Sequence, residues 1–165
     1  MSVRLEPAQP HDAPLLANLL ELYLHDLSEA FPIEPGADGR FGYERLPLYW
    51  TEPDRRFPLL IRSHERVVGF VFVTRGSPMS DDPDVWDIAE FFVLRRHRRD
   101  GVGRRAAFAV WDQFPGRWIV RVFDANRGAI PFWSRVIAEY AKGAFTLTER
   151  DRWRVFSFLS STSPR

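Results

Sequence analysis

No cysteine occurs among the 165 residues, which excludes disulfides, thiol nucleophiles and thiolate metal sites. The opening residues, MSVRLEPAQP, lack the charged-then-apolar pattern of a leader, and no apolar run approaches the roughly twenty residues that span a bilayer. The cytoplasm is the expected location, and a membrane is not an expected partner. A net charge of only +1 denies the chain the one-signed excess that a general polyanion binder carries, so nucleic acid is not expected either. The four histidines, His11, His25, His64 and His97, show no ligand spacing and join no Ser–His–Asp pattern, so no metal is expected. Linkers, composition breaks and internal repeats are also missing. A single domain over residues 1–160 with a fraying tail at 161–165 follows.

What is present suffices for a core, since 45% of the residues are hydrophobic and 27% charged. Val3–Leu5 reads as a short strand. Asp12 can cap a helix with Pro14 in its first turn, and Leu15, Leu16, Leu19, Leu20, Tyr23 and Leu27 recur on its core-facing side. Residues 31–54 turn to Pro, Gly, Asp and aromatics and read as loop with one short helix. Phe57–Arg62 and Arg66–Thr74 form a hairpin around His64 and Glu65, with Gly69 a bulge or close-approach position. A strand Val85–Leu94, a helix from Val102 or Gly103, a strand Arg117–Phe123 and a helix through Ala129, Phe132, Trp133, Val136, Ile137 and Tyr140 follow. Pro131 has to lie in that helix's first turn. Ala144–Thr148 and Trp153–Leu159 close the chain as a second hairpin.

The rest is organised around residues 90–112, EFFVLRRHRRDGVGRRAAFAVWD: a strand, an arginine-rich turn with two glycines, and a helix that Pro115 and Gly116 stop. Glycine permits positive φ and close backbone approach, while a helix's first turn offers unpaired N–H groups and the positive end of its dipole. Six arginines from Arg95 to Arg105 add charge that matches phosphate oxygens. The stretch therefore suits a phosphate-bearing cofactor.

No P-loop string G-x-x-x-x-G-K-S/T exists in the chain. Gly101, Gly103 and Ala106 do fit the dinucleotide fingerprint G-x-G-x-x-A, with Asp124 about twenty residues on, but residues 125–165 are too few for the further βα units of that fold. The segment V-L-R-R-H-R-R-D-G-V-G-R-R-A closely resembles motif A of the GNAT superfamily of acetyl-CoA-dependent N-acetyltransferases, Q/R-x-x-G-x-G/A. Asn126-Arg-Gly-Ala129-Ile-Pro-Phe132-Trp133 resembles that family's N-x-x-A-x-x-F-Y helix, after a strand and in the expected order.

The resemblance implies an α/β/α sandwich around a twisted, mixed, mostly antiparallel sheet of about six to seven strands, with about four helices. It also implies acetyl-CoA as co-substrate, an amine acceptor of small-molecule size, and direct attack in a ternary complex; a homodimer is compatible with it. Backbone groups at Phe92 and Val93 would hold the pantetheine arm. The backbone from Arg98 through Arg99, Asp100, Gly101, Val102 and Gly103 to Arg104 would hold the pyrophosphate, and Asn126 would contact the cofactor. The arginine side chains, Arg95, Arg96 and Arg105 above all, can instead be a solvated surface. Tyr43, Tyr49 and Trp50 would line the acceptor wall or pack over the sheet edge.

The base would be an acidic residue on the 85–94 strand. With strict alternation Glu90 shares a face with Ile88 and Phe92, and Asp87 with Val85, Ala89 and Val93, unless a bulge swaps them. A carboxylate buried among apolar groups has a raised pKa and could take the amine proton, whereas one beside an arginine could be a salt bridge. Where the family often has a tyrosine as acid, this chain has Trp133, whose indole cannot usefully give up its proton. Tyr140 or water is left for that role. The tryptophan also leaves open a non-catalytic acyl-CoA-binding module.

Overall fold

Two hydrophobic faces on one sheet dictate the architecture, and the computed structural model, which describes residues 2–161, shows how they are covered. The elements are β1 (Val3–Pro7), α1 (Ala13–Leu27), α2 (Leu48–Thr51), β2 (Arg56–Ser63), β3 (Arg66–Arg75), β4 (Trp86–Val93), α3 (Val102–Gln113), β5 (Gly116–Phe123), α4 (Ala129–Tyr140), β6 (Phe145–Arg150) and β7 (Trp153–Ser160). The strands form one sheet in the order β1-β2-β3-β4-β5-β7-β6. Every neighbouring pair is antiparallel except β4 and β5. This is the mixed α/β sandwich that the motifs implied.

On one face, α3 and α4 bury Val102, Ala106, Val110, Trp111, Trp133 and Ile137 against Val71, Val73, Ile88, Trp118 and Phe156. On the other, Leu16 and Leu20 of α1 and Tyr49 of α2 close over Leu60, Phe70, Phe72 and Phe92. Trp111 and Trp118 are fully buried, and an indole that leaves water contributes about 4–6 kcal/mol by area, as an upper bound.

Local chemistry explains where elements begin and end. Asp12 does not cap α1 as its position suggested, because its carboxylate accepts the Gln9 N–H at 2.8 Å and closes a short 3-10 turn instead. Pro131 does sit in the first turn of α4. The β6–β7 hairpin turns on Asp151 and Arg152, whose φ angles of 48° and 69° give the left-handed pair that a tight hairpin needs. Ser160 ends β7 paired with Gly116, and of the expected fraying tail residues 162–165 lie outside the described residues.

Gly69 is a close-approach position: a Cβ there would stand 2.0 Å from the Phe92 carbonyl oxygen. The β2–β3 register also slips beside it, between Ile61 and Arg62. A second slip, between Phe72 and Val73, makes Ala89 the extra residue of β4. That bulge sets the geometry of the candidate site.

Candidate active site

A regular strand sends residues three apart to opposite faces. The bulge at Ala89 cancels this for Asp87 and Glu90. Ile88 points into the α3/α4 core, while Glu90 meets α1, so the expected sharing of a face by Ile88 and Glu90 is overturned. Both carboxylates lie on the α1 side, close enough for the charge of Asp87 to act on Glu90.

Their environments differ. Asp87 is fully buried and accepts from Arg121 of β5 through Nε, at 2.9 and 3.3 Å, and Nη2, at 3.1 Å, and also from the Ser77 hydroxyl. Its oxygens are committed to a buried ion pair. Glu90 accepts from two phenols: Tyr23 of α1 on Oε2, and Tyr43 of the following loop on Oε1 at 3.1 Å. Burial pushes the Glu90 carboxyl above its ordinary pKa, a push that the nearby negative charge of Asp87 reinforces and that the two tyrosine hydrogen bonds and Arg121 oppose. Burial, with Glu90 beside them, raises Tyr23 and Tyr43 well beyond the usual phenol range, so both remain hydrogen donors. Tyr49, raised to about 12 mainly by burial, backs Tyr43.

Beside the carboxylates the sheet opens. β4 and β5 pair over only two positions, Trp86 with Trp118 and Asp87 with Ile119, whereas β5 and β7 pair over their whole length. Beyond Asp87 the strands diverge, and among the described residues no strand faces that side of β4. A cavity of about 780 Å³ fills the opening, lined by Ala89, Glu90 and Phe91 of β4, Arg121 and Phe123 of β5, and Tyr23 and Tyr43 on the opposite wall. Asn126, Ala129 and Trp133 of the α4 region reach it too.

The arginine-rich turn stands at the far end of β4. Gly101 has φ 75° and nothing within 4 Å of where its Cβ would be, so glycine takes this backbone without strain and leaves open space beside it. Gly103 is different, because its Cβ would press on the Phe132 ring at 3.1 Å, so this glycine serves the packing of α3 on α4. Arg98 is a strut: Nε donates to the Val93 carbonyl at 2.7 Å and Nη2 to Asp26 of α1 at 2.6 Å. Arg95 joins the same carboxylate at 2.6 Å, and Arg104 is held by Glu139 of α4. Arg99 and Asp100 are exposed, with Arg99 in the left-handed region at φ 75°. The Phe92 carbonyl is turned toward Gly69 of β3 and its ring packs on Tyr23. Of the proposed wall residues, Tyr43 and Tyr49 line the cavity, while Trp50 donates to the Ala8 carbonyl at 3.1 Å and packs outside it.

The model of the acetyltransferase (GNAT) family matches residues 16–137. The chain belongs to the GNAT family. Among solved structures, this GNAT chain is similar to an acetyltransferase from Thermus thermophilus, with TM-score 0.69, 19% identity, and 96% of this chain and 97% of that one covered. It is also similar to AAC(6′)-Ib in complex with paromomycin and acetyl-CoA, with TM-score 0.69, 15% identity, and 96% and 94% covered. A third is yncA from Salmonella typhimurium with its cofactor acetyl-CoA, with TM-score 0.65, 11% identity, and 100% and 98% covered. At these identities the likeness speaks for the fold. No curated protein matches the sequence significantly.

Two residues of this GNAT site gave no signal in the sequence. Tyr23 has ordinary core spacing on α1, and Arg121 is one charge inside a strand; only the fold brings them to Glu90 and Asp87. Tyr140, the alternative acid, donates to Asp112 of α3 at 2.7 Å and does not line the cavity, so it leaves that role.

Proposed function

We propose that this GNAT protein moves an acetyl group from acetyl-CoA to a primary amine by direct attack in a ternary complex, with Glu90 as the general base. The observation that carries the proposal is the tyrosine-clamped, half-buried carboxylate on the wall of a cavity that runs into the gap between β4 and β5. Known complexes of the similar fold, AAC(6′)-Ib and yncA, contain acetyl-CoA.

The residues present fit such a co-substrate. The open space at Gly101 and the amides of Val102, Gly103 and Arg104, which stand in the first turn of α3 and have no intrahelical partner, suit a pyrophosphate, and the side of β4 left unpaired beyond Asp87 suits a polar, extended arm. Asn126 and Ala129 would flank it from α4. When bound, acetyl-CoA supplies an activated thioester. The protein's share is to hold the amine beside it and take a proton. Glu90, with its pKa raised, accepts the ammonium proton, while Tyr23 and Tyr43 fix its two oxygens in place. Asp87 is a positioning residue that holds Arg121. With Trp133 at the tyrosine position, solvent in the open cavity supplies the thiol proton.

Trp133 also favours a second reading, an acyl-CoA-binding module without turnover. One experiment separates the two: thermal unfolding with acetyl-CoA and with NAD, followed by release of free CoA across a panel of amines. Stabilisation by acetyl-CoA with amine-dependent CoA release supports the enzyme, whereas stabilisation without release supports the module. A rise with NAD alone would overturn both.

A further inference from the structure

We infer that the acceptor is an amino acid, an amine with a carboxylate on the adjacent carbon, and that Arg121 anchors the carboxylate while the amine faces Glu90. This rests on the acetyltransferase reading above and names its substrate class. Arg121 and Glu90 stand on the two strands that border the gap, two and three residues beyond the last paired positions, Ile119 and Asp87. Both line the same cavity, and each feels the other's charge.

The guanidinium is half used. Nε and Nη2 are spent on Asp87. Nη1 has no protein partner among the described residues, and it is not sealed from the cavity that Arg121 lines. A guanidinium has five donors in a fixed fork, and its open edge suits a planar carboxylate. The group is also held rigid beforehand: Asp87 grips one edge, and Trp153 lies under it with the guanidinium carbon 5.6 Å from the ring centroid. Little side-chain freedom is left to lose when an anion docks. Around this pair the wall is aromatic, with Phe31 stacked on Phe123 at 4.6 Å and Trp153 against both, which suits an apolar side chain on the acceptor. A polycation would instead bring positive charge against Arg121.

The test compares phenylalanine with two amines of the same side chain that lack the anion, and with one polycation. Calorimetry measures binding of phenylalanine, phenylalaninamide, phenethylamine and kanamycin to the protein, with CoA and without it. The expected result is phenylalanine binding about tenfold or more tighter than either analogue that lacks the carboxylate, the yield of one charge-assisted hydrogen bond. Arg121→Lys, which keeps a cation beside Asp87 but loses the fork, should erase the preference. If that variant does not fold, the amide comparison on the unaltered protein still decides. Equal affinity for phenylalanine and its amide, tighter binding of kanamycin, or no binding of any of the four would each overturn the anchor. Failure of CoA to bind would overturn the acetyltransferase reading alone, because the ligand comparison is also made without it.

Discussion

Tyr23 donates to Glu90 across 67 residues of sequence, from the third turn of α1 to the bulge of β4. The same helix carries Glu21, which accepts from the N–H groups of Phe41 and Gly42, at 2.9 and 3.2 Å, and from Arg40. It also carries Asp26, which ties Arg95 and Arg98. One helix therefore fixes the loop before Tyr43, the candidate base and the arginine-rich turn at once. Displacement of α1 would disturb all three.

Glu90→Gln should lower acetyl transfer by about 10²- to 10⁴-fold, the usual worth of a general base. Its effect on stability should have the opposite sign. A carboxyl whose folded pKa is raised contributes stability below its unfolded value and loses it as pH rises through the folded value. Glutamine does not titrate, so the melting temperature of the variant relative to the unaltered protein should climb between pH 4 and pH 8. A flat difference would show that Glu90 is not the group under strain.

Tyr23→Phe and Tyr43→Phe each remove a hydrogen bond that favours ionised Glu90. The acid limb of the kcat/KM profile should move to higher pH in each variant, and further in the double variant. Little change is expected on the alkaline plateau, where the base is ionised in every form. An acid limb that stays put would place the proton acceptor elsewhere.

Much of this arrangement was legible in the sequence, because it was local. The strands and helices follow from period-two and period-four apolar spacing, and the arginine-rich turn announces itself by two glycines between a strand and a helix. Gly69 was likewise readable as a position where backbone comes close. Partners distant in the chain were not legible: the pairing of Asp87 with Arg121 depends on two strands meeting in parallel, and Tyr23 looks like any core residue until α1 is laid across β4. The bulge at Ala89 left no trace, since alanine on a strand is unremarkable and only the register with β3 reveals the extra residue.

Gly101→Glu should abolish stabilisation by acetyl-CoA, because it places bulk and negative charge beside the first turn of α3. The fold should survive. Nothing lies within 4 Å of the new Cβ, and a left-handed non-glycine residue costs about 1–2 kcal/mol. Differential scanning calorimetry with and without acetyl-CoA reads both effects. A normal shift in the variant would move the cofactor away from this turn.

Asp26→Asn tests how α1 holds the turn. Burial works against ionisation of Asp26, but hydrogen bonds and charge from Arg98 and Arg95 outweigh it and hold the carboxyl below its ordinary value. A lowered folded pKa means that the stability it contributes is fully present above the unfolded value, near 4, and is lost as pH falls through the folded value. Midpoints followed from pH 7 down to pH 3 should therefore fall more steeply for the unaltered protein than for the asparagine variant, which starts lower at pH 7 and has less to lose. The variant should also loosen both arginines, with Arg98 still held by the Val93 carbonyl. If the turn receives phosphate, its affinity for CoA should change more than its affinity for the acceptor. Parallel acid curves would mean that Asp26 contributes no more folded than unfolded, and the bridge from α1 to the turn would then be geometry without energetic weight.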